Sequence, residues 1–277
     1  MDFTGITIIN GKKADTRACI LLDQGANFGR GVFETIAVTG KTPVFLEKHC
    51  QRIKKGLAAL EIENSVSEEQ INSYITEFDI RDCGMKVLVT PENTVVTTRK
   101  NIYSTGLFKE GLKVSISTLK RNPHSRVVYH KTINYTDNIL ERDMAHRSGF
   151  DEVIFTNIYN YLAEGSVSNL FFVSENRIFT PAIGCGILDG IIRNWVIGNF
   201  VVEEGEFTLK QLMNADEVFV TNSLMGIMPV RQLLDKLLDS PKEKCIEIQE
   251  AYEKEICMEV EKYEKRKKDK HSKNPGF

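Results

Sequence analysis

Short runs rich in β-branched residues, alternating irregularly with amphipathic helices, constrain the fold of this chain most strongly. Residues 32–38 are dense in β-branched side chains and end at a glycine-containing turn, 39–41. Residues 46–60 then carry apolar side chains at near-helical spacing among His, Lys, Arg and Glu. Because these patterns do not follow one another as regular βαβ units, they predict an α+β domain at the N-terminus.

The same signals predict the remaining elements and one boundary. Further strands are predicted at residues 6–9, 18–22, 85–90, 94–99, 112–118, 152–156, 170–173 and 217–221. Further helices are predicted after the capping residue Ser67, at 137–147, at 190–200 and from 242 onwards. The polar stretch 119–126 neither alternates nor repeats. We therefore expect an α+β domain over 1–108 and a larger domain over 109–277, with the connecting loop inside 107–128.

Composition excludes several classes of function. With 36 Lys+Arg against 38 Asp+Glu the net charge is −2, so no global field attracts nucleic acid or an anionic membrane. No apolar run approaches the ~18 residues of a membrane span, and the N-terminus lacks the pattern of a signal peptide, so we expect a cytoplasmic protein. The six cysteines lie far apart without a C-x-x-C pair, which favours reduced thiols over disulfides or a metal site.

Two glycine-marked turns are candidates for holding an anion. Residues 184–193 lead directly into a predicted helix, whose first amides and dipole attract negative charge. Residues 221–226 follow a predicted strand and offer hydroxyl and backbone donors. Glycine before a helix is also an ordinary connection, so both explanations remain open. Neither a Walker loop nor a G-x-G-x-x-G after a strand is present to favour nucleotide binding.

Seven motifs taken in order carry more information than any single turn. They are GRGVFET at 29–35, HCQR at 49–52, HKTINY at 130–135, LAEGSVSNLF at 162–171, TP at 180–181, GILDGIIR at 186–193 and NSLMGIMPV at 222–230. This order resembles the class IV pyridoxal-phosphate enzymes, which comprise branched-chain and D-amino-acid aminotransferases and aminodeoxychorismate lyases. The resemblance implies fold type IV: a small N-terminal α/β domain, a larger domain with a mixed sheet or pseudobarrel, pyridoxal 5'-phosphate at the domain interface, and a homodimer.

The resemblance also implies which residues hold the cofactor. Lys131 is the implied amine that forms a Schiff base with pyridoxal phosphate and shuttles a proton, and Glu164 is the implied carboxylate beside the pyridine nitrogen. The implied phosphate ligands are Arg52, the amides of Ile191 and Ile192, and Ser223 with the Leu224 amide, while Leu188 packs on the ring. Without the resemblance, we would interpret these residues as an exposed lysine, a turn glutamate, a solvated arginine and ordinary core positions.

Within the family, two features resemble the lyases. The segment 222–230 is more similar to aminodeoxychorismate lyases than to aminotransferases, and Thr35 matches the threonine that protonates the departing enolpyruvyl group. The implied reaction converts 4-amino-4-deoxychorismate to 4-aminobenzoate and pyruvate, in folate biosynthesis. Arg99 and Arg30 are candidates for contacting this small-molecule substrate, although the family usually has an acidic residue at position 30. An aminotransferase and a non-catalytic binding protein on the same scaffold are the alternatives.

Overall fold

The chain divides into two compact units. The computed structural model describes residues 5–15, 18–103, 105–238 and 242–272. One unit contains the chain up to Asn101 together with the residues from Glu250, and the other contains Ile102–Gln249. Among these described residues, no helix is long and apolar enough to cross a membrane.

The first unit is built on a six-stranded antiparallel sheet in the order β2-β1-β6-β5-β3-β4. Its strands are β1 (Thr7–Ile9), β2 (Lys12–Lys13), β3 (Val32–Thr39), β4 (Thr42–Pro43), β5 (Cys83–Val89) and β6 (Thr94–Lys100), and its first helices are α1 (Gln24–Phe28), α2 (Leu46–Ala59) and α3 (Glu68–Glu77). Alternate side chains such as Ile36 and Val87 are fully buried with Ile53 of α2, whereas the residues between them face the opposite side of the sheet. As predicted, the Ser67 side chain caps α3 by accepting from Gln70 N–H.

The predicted strand at residues 18–22 is wrong. The amide of Asn93 satisfies both backbone groups of Leu21, since Leu21 N–H donates to Asn93 Oδ1 at 2.8 Å and Asn93 Nδ2 donates to Leu21 O at 3.0 Å. The side chains of Ile20, Leu21 and Leu22 are exposed. This apolar run therefore lies outside the sheet.

The second unit contains a nine-stranded mixed sheet, which confirms the expected sheet type. Its strands are β7 (Leu112–Arg121), β8 (Glu152–Asn157), β9 (Leu162–Gly165), β10 (Asn169–Ser174), β11 (Arg177–Pro181), β12 (Val202–Gly205), β13 (Glu217–Asn222), β14 (Gly226–Leu233) and β15 (Lys236–Leu237). Its helices are α4 (Thr105–Glu110), α5 (Thr136–Arg147), a 3₁₀ turn (Ile183–Cys185), α6 (Ile191–Asn199), α7 (Leu209–Met213) and the start of α8 (Glu243–Ser272). Strand β9 pairs with both β8 and β10, so the strands β10-β13-β14-β7-β8-β9 close into a ring. Strand β7 pairs in parallel with β8 and β14, and β11 pairs in parallel with β12.

The second unit begins and ends earlier in the chain than the expected domain over 109–277. Leu107 and Phe108 pack against the core of the second unit, so the chain already belongs to that unit before β7 begins. Strand β7 also extends through 119–121, where a polar connection was expected. At the C-terminus, Tyr252 of α8 is 3% exposed, and its ring centroid lies 6.3 Å from that of Phe45 in the first unit's core. The end of α8 is therefore part of the first unit.

Candidate active site

Lys131 lies in a series of turns immediately before α5. The preceding run 127–129 also forms turns: Val128 N–H donates to Ser125 O at 3.3 Å and His130 N–H donates to Val127 O at 3.2 Å. The Nζ atom of Lys131 lies 5.3 Å from the ring centroid of Tyr135. The lysine amine is thus placed against an aromatic face close to the N-terminus of α5.

Glu164 lies on β9 and is 8% exposed. Its Oε2 accepts a hydrogen bond from Leu188 N–H at 2.9 Å, and its Oε1 lies 3.4 Å from Nη2 of Arg121. Burial raises the pKa of Glu164, and the charges of Arg121 and Lys131 oppose that rise only in part. Tyr135, whose ring lies beside Lys131 Nζ, donates its hydroxyl to Ser166 O at 2.7 Å, two residues beyond Glu164. Lys131 and Glu164 therefore lie in one region of the second unit.

Arg121 is a member of this cluster that the sequence analysis did not identify. Its guanidinium lies 4.0 Å from the ring centroid of Phe155, and its Nη1 donates to Asn138 Oδ1 at 3.1 Å. Its Nε is buried and has no hydrogen-bond partner among the residues that the structure describes. The sequence analysis placed Arg121 in the polar connection 119–126, beyond the predicted strand. The pairing of β7, β8 and β9 is what brings it beside Glu164.

The N-terminus of α6 lies next to this carboxyl group. The helix begins at Ile191, so the amides of Ile191 and Ile192 belong to the first turn, which has no intrahelical acceptors and attracts anions. Asn169 Nδ2 donates to Leu188 O at 2.9 Å, and a Cβ at Gly190 would lie 1.8 Å from Asn169 Oδ1. The approach of Asn169 therefore requires glycine at position 190.

Thr221 provides a buried hydroxyl on the face of the sheet that also carries the Asn169 side chain. It pairs directly with Asn169 across β10 and β13, which places both side chains on one side. Thr221 is 0% exposed, and its Oγ1 has no hydrogen-bond partner within the described part of the chain. Such an orphaned hydroxyl beside a helix N-terminus suits an incoming phosphate, because leaving it unpaired is costly.

The loop after β13 contains Ser223 and Leu224, which are expected to bind the phosphate. The Leu224 amide donates to Asn222 Oδ1 at 2.9 Å, and Asn222 Nδ2 donates to Val167 O at 3.1 Å. Ser223 lies between these two residues in the loop. The proposed phosphate contacts of Ser223, Leu224, Ile191 and Ile192 stay predictions.

Arg52 belongs to a separate cluster in the first unit. Its Nε and Nη2 donate to the two carboxylate oxygens of Glu34 at 2.6 and 2.8 Å, and His49 Nδ1 lies 2.8 Å from Glu34 Oε2. Burial by itself raises the pKa of Glu34, but Arg52 and His49 together hold it well below its usual value. Arg52 is therefore firmly held, while its phosphate contact stays a prediction.

A row of polar residues crosses the exposed face of the first unit's sheet. Thr35 pairs with Lys86, and Gly84 pairs with Arg99, so Thr35, Lys86 and Arg99 alternate onto one face. The Nζ of Lys86 lies 4.5 Å from the ring centroid of Phe33. Desolvation and the nearby charge of Arg99 lower the pKa of Lys86. Two cations thus lie on the same sheet face as the Thr35 hydroxyl.

Arg30 has a structural role that explains the basic residue at this position. Its Nε donates to Leu60 O and its Nη2 donates to Glu61 O, both at 2.8 Å, just beyond the end of α2. A cation at these last carbonyls stabilises the C-terminus of a helix. The substrate contact expected of Arg30 stays a prediction, since its guanidinium is already engaged with backbone oxygens.

These residues fit pyridoxal phosphate chemically. The cofactor needs an amine for its aldehyde, a carboxyl group for its ring nitrogen and donors for its phosphate. The second unit has an amine on Lys131, a buried carboxyl group on Glu164, and the N-terminus of α6 with the orphaned Thr221 hydroxyl. Leu188 lies between them, with its N–H on Glu164 and its carbonyl on Asn169. The placement of the cofactor at a domain interface stays a prediction.

Comparison with known proteins identifies the family. The model of the class IV amino-transferases matches residues 31–233. An aminodeoxychorismate lyase of Bacillus subtilis is 28% identical over 277 residues, which cover 90% of this chain and 94% of the relative. A probable branched-chain-amino-acid aminotransferase of Thermotoga maritima is 30% identical over 214 residues, which cover 73% of this chain and 77% of the relative.

A solved structure supports the same assignment. The crystal structure of a putative 4-amino-4-deoxychorismate lyase from Legionella pneumophila matches with a TM-score of 0.76 at 25% identity, covering 83% of this chain and 94% of that one. The family match spans most of the chain, and pyridoxal phosphate is the cofactor of these enzymes. This chain therefore belongs to the class IV aminotransferase family and is a pyridoxal-phosphate-dependent enzyme.

Proposed function

We propose that this enzyme is an aminodeoxychorismate lyase that converts 4-amino-4-deoxychorismate to 4-aminobenzoate and pyruvate. The observation that carries the proposal is the placement of Thr35, Lys86 and Arg99 on one sheet face. The substrate carries two carboxylates, which two neighbouring cations can bind, whereas a branched-chain amino acid carries one carboxylate and an apolar side chain. The similarity to the Bacillus subtilis lyase across 90% of the chain supports the same reaction.

In the proposed reaction, the residues of this chain bind the substrate and move protons. Bound pyridoxal phosphate supplies an electron sink for the carbanion at the substrate carbon that carries the amine. Lys131 removes the proton from that carbon, and Glu164 holds the proton on the ring nitrogen of the cofactor. The bond to the enolpyruvyl oxygen then breaks, and Thr35 or water supplies the proton that completes pyruvate. No water or redox partner is consumed overall.

Product analysis tests the proposal directly. The purified holoenzyme is given aminodeoxychorismate in one assay, and pairs of amino and keto acids in another. Equimolar 4-aminobenzoate and pyruvate are the expected products. Amino transfer without pyruvate release would instead support an aminotransferase, the alternative favoured by the 30% identity to the Thermotoga maritima protein.

The two cations provide a sharper test of substrate class. Lys86→Gln is expected to raise KM for aminodeoxychorismate about tenfold with little change in kcat, because one charge-assisted contact is lost. Lys100→Gln is the matched control. Lys100 is the last residue of β6 and follows Arg99 directly, so its side chain lies on the other face of the sheet. An unchanged KM in the Lys86 variant would contradict a dicarboxylate site on this face.

Lys131→Ala tests the cofactor tether. The variant is expected to keep its fold, lose the visible absorption of bound pyridoxal phosphate, and lose at least about a thousandfold in kcat. Lys120→Met is the control, because Lys120 lies in the same unit with its Nζ 2.6 Å from Thr156 Oγ1. A visible band retained by Lys131→Ala would show that another lysine forms the link.

The family resemblance also supports a cytoplasmic homodimer. Sedimentation equilibrium of the holoenzyme is expected to give about twice the chain mass of 31.4 kDa. A mass of one chain at assay concentrations would contradict the dimer without affecting the proposed reaction.

A further inference from the structure

A buried carboxylate outside the predicted site organises the turn that follows Glu164. Glu152 begins β8 and is 1% exposed. Its Oε1 accepts from Ser166 N–H at 3.0 Å, Ser166 Oγ at 2.5 Å and Val153 N–H at 2.9 Å. Its Oε2 accepts from Ser168 Oγ at 2.9 Å and Val167 N–H at 3.3 Å. A carboxylate in an apolar interior needs such donors to stay buried.

The turn held by Glu152 has no room for other side chains. Gly165 N–H donates to Ser168 O at 2.7 Å, which closes the turn between β9 and β10. A Cβ at Gly165 would lie 2.1 Å from Ser168 Oγ and 3.1 Å from Glu152 Oε2. The position of the carboxylate and the tightness of the turn therefore depend on each other.

The carbonyl group of Ser166 connects the turn to the candidate cofactor residues. Ser166 O accepts from Tyr135 OH and from Asn138 Nδ2, both at 2.7 Å. Burial raises the pKa of Tyr135, so its phenol stays protonated and donates this bond. Tyr135 is the ring beside Lys131 Nζ, and Asn138 Oδ1 holds Arg121.

A closed network results, and it lies entirely in the second unit. It runs from Glu152 to Ser166, from there to Tyr135 and Asn138, and through Arg121 to Glu164, which directly precedes the turn. These links are hydrogen bonds and an ion pair between buried or half-buried groups, and Lys131 is joined to them by its contact with the Tyr135 ring. Displacing the turn would therefore disturb both Glu164 and the surroundings of Lys131.

We propose that Glu152 is a positioning residue of the cofactor site, which fixes the Ser166 turn so that Lys131 and Glu164 are prearranged for pyridoxal phosphate. Glu152 touches neither the cofactor nor the substrate. This inference rests on the proposed roles of Lys131 and Glu164 but not on which reaction follows.

The test compares two buried carboxylates in the full-length protein. Glu152→Gln replaces an acceptor oxygen with an NH₂ group that opposes the Val167 N–H. Glu217→Gln is the matched control, since Glu217 is 7% exposed and accepts from Lys244 N–H and Cys245 N–H, both at 3.0 Å, at the start of α8. The apoprotein of each variant is titrated with pyridoxal phosphate, and the Kd, the visible absorption maximum and Tm are measured.

Glu152→Gln is expected to raise the Kd for pyridoxal phosphate about tenfold and to shift the absorption maximum, as happens when a group that orients binding-site ligands is lost. Glu217→Gln is expected to lower Tm without changing Kd or the absorption maximum. Ser166→Ala, which removes one donor to Glu152 and leaves the Ser166 carbonyl in place, is expected to raise Kd by a smaller factor.

Three outcomes would overturn the proposal. They are a wild-type Kd and spectrum in Glu152→Gln, an equal loss of affinity in Glu217→Gln, and, if Glu152→Gln does not fold, a wild-type Kd in Ser166→Ala. Failure of the cofactor assignment is distinguishable, because it would appear as a visible band retained by Lys131→Ala whatever the Glu152 variants do.

Discussion

Glu34 in the first unit and Glu164 in the second are both buried carboxyl groups, but their surroundings shift their pKa values in opposite directions. Glu34 has Arg52 on both oxygens at 2.6 and 2.8 Å together with His49, and its pKa lies well below the usual value. Glu164 has one guanidinium nitrogen at 3.4 Å and one backbone N–H, and burial raises its pKa. Glu34 is therefore a fixed anion of the scaffold, whereas Glu164 has capacity left for a cationic ligand such as a protonated ring nitrogen.

Removing the charge of Glu34 is expected to have the largest effect on stability. In Glu34→Gln the guanidinium of Arg52 loses the carboxylate that binds both Nε and Nη2, and it cannot release its proton to compensate. We expect the free energy of unfolding to fall by about 3 kcal/mol, measured by urea denaturation at pH 7. A loss below about 1 kcal/mol would contradict the description of this cluster as fixed.

Removing the cation beside Glu164 is expected to cost less stability. In Arg121→Met the carboxyl of Glu164 can take up a proton, because its pKa is already raised. We therefore expect a loss of about 1–2 kcal/mol, together with weaker binding of pyridoxal phosphate. Arg193→Met is the control: Arg193 is 2% exposed and donates to Pro181 O and Glu204, and its loss should leave cofactor affinity unchanged.

The pH dependence of unfolding should have opposite signs for the two carboxylates. Glu34 has a lowered pKa in the folded protein, so its contribution is present above the ordinary value of 4.5 and is lost as pH falls below it. Glu164 has a raised pKa, so its contribution is present below 4.5 and is lost as pH rises from there through its folded pKa.

Difference curves isolate these contributions. The free energy of unfolding of the wild type minus that of Glu34→Gln should fall toward low pH, by about 1 kcal/mol per pH unit at the steepest point. The corresponding difference for Glu164→Gln should fall in the opposite direction. Two difference curves with slopes of the same sign would contradict the opposite pKa shifts of Glu34 and Glu164.

Replacing the orphaned hydroxyl of Thr221 is expected to have the smallest effect on stability. Thr221→Val removes a buried polar atom that has no partner in the described chain, so the free energy of unfolding should stay equal or rise by less than about 1 kcal/mol. Affinity for pyridoxal phosphate should fall about fivefold, the equivalent of one hydrogen bond, while affinity for pyridoxal should not change. An equal loss of affinity for pyridoxal phosphate and for pyridoxal would show that the Thr221 hydroxyl does not contact the phosphate.

Local patterns were sufficient to predict where two of the helices begin. The pattern from Gly190 predicted a helix over 190–200, and α6 spans Ile191–Asn199. Ser67 followed by Gln70 predicted the cap of α3. Lys131 and Glu164, assigned by resemblance, lie in one region of the second unit, joined through Tyr135 and the Ser166 turn. Their chemical roles stay predictions.

What the sequence could not predict depends on partners that are distant along the chain. The run 18–22 lies outside the sheet because Asn93, about seventy residues away, takes both backbone groups of Leu21. Arg121 and Glu152 join the candidate site because β7, β8 and β9 pair side by side. A single sequence contains no local signal for such pairings.

The most direct test of the account locates the cofactor link chemically. The holoenzyme is reduced with borohydride, digested, and analysed by mass spectrometry for the phosphopyridoxyl adduct. We expect the adduct on Lys131, and we expect Glu164→Gln to keep the adduct but to change the absorption spectrum before reduction. An adduct on a different lysine, or no adduct in a preparation that contains pyridoxal phosphate, would contradict it.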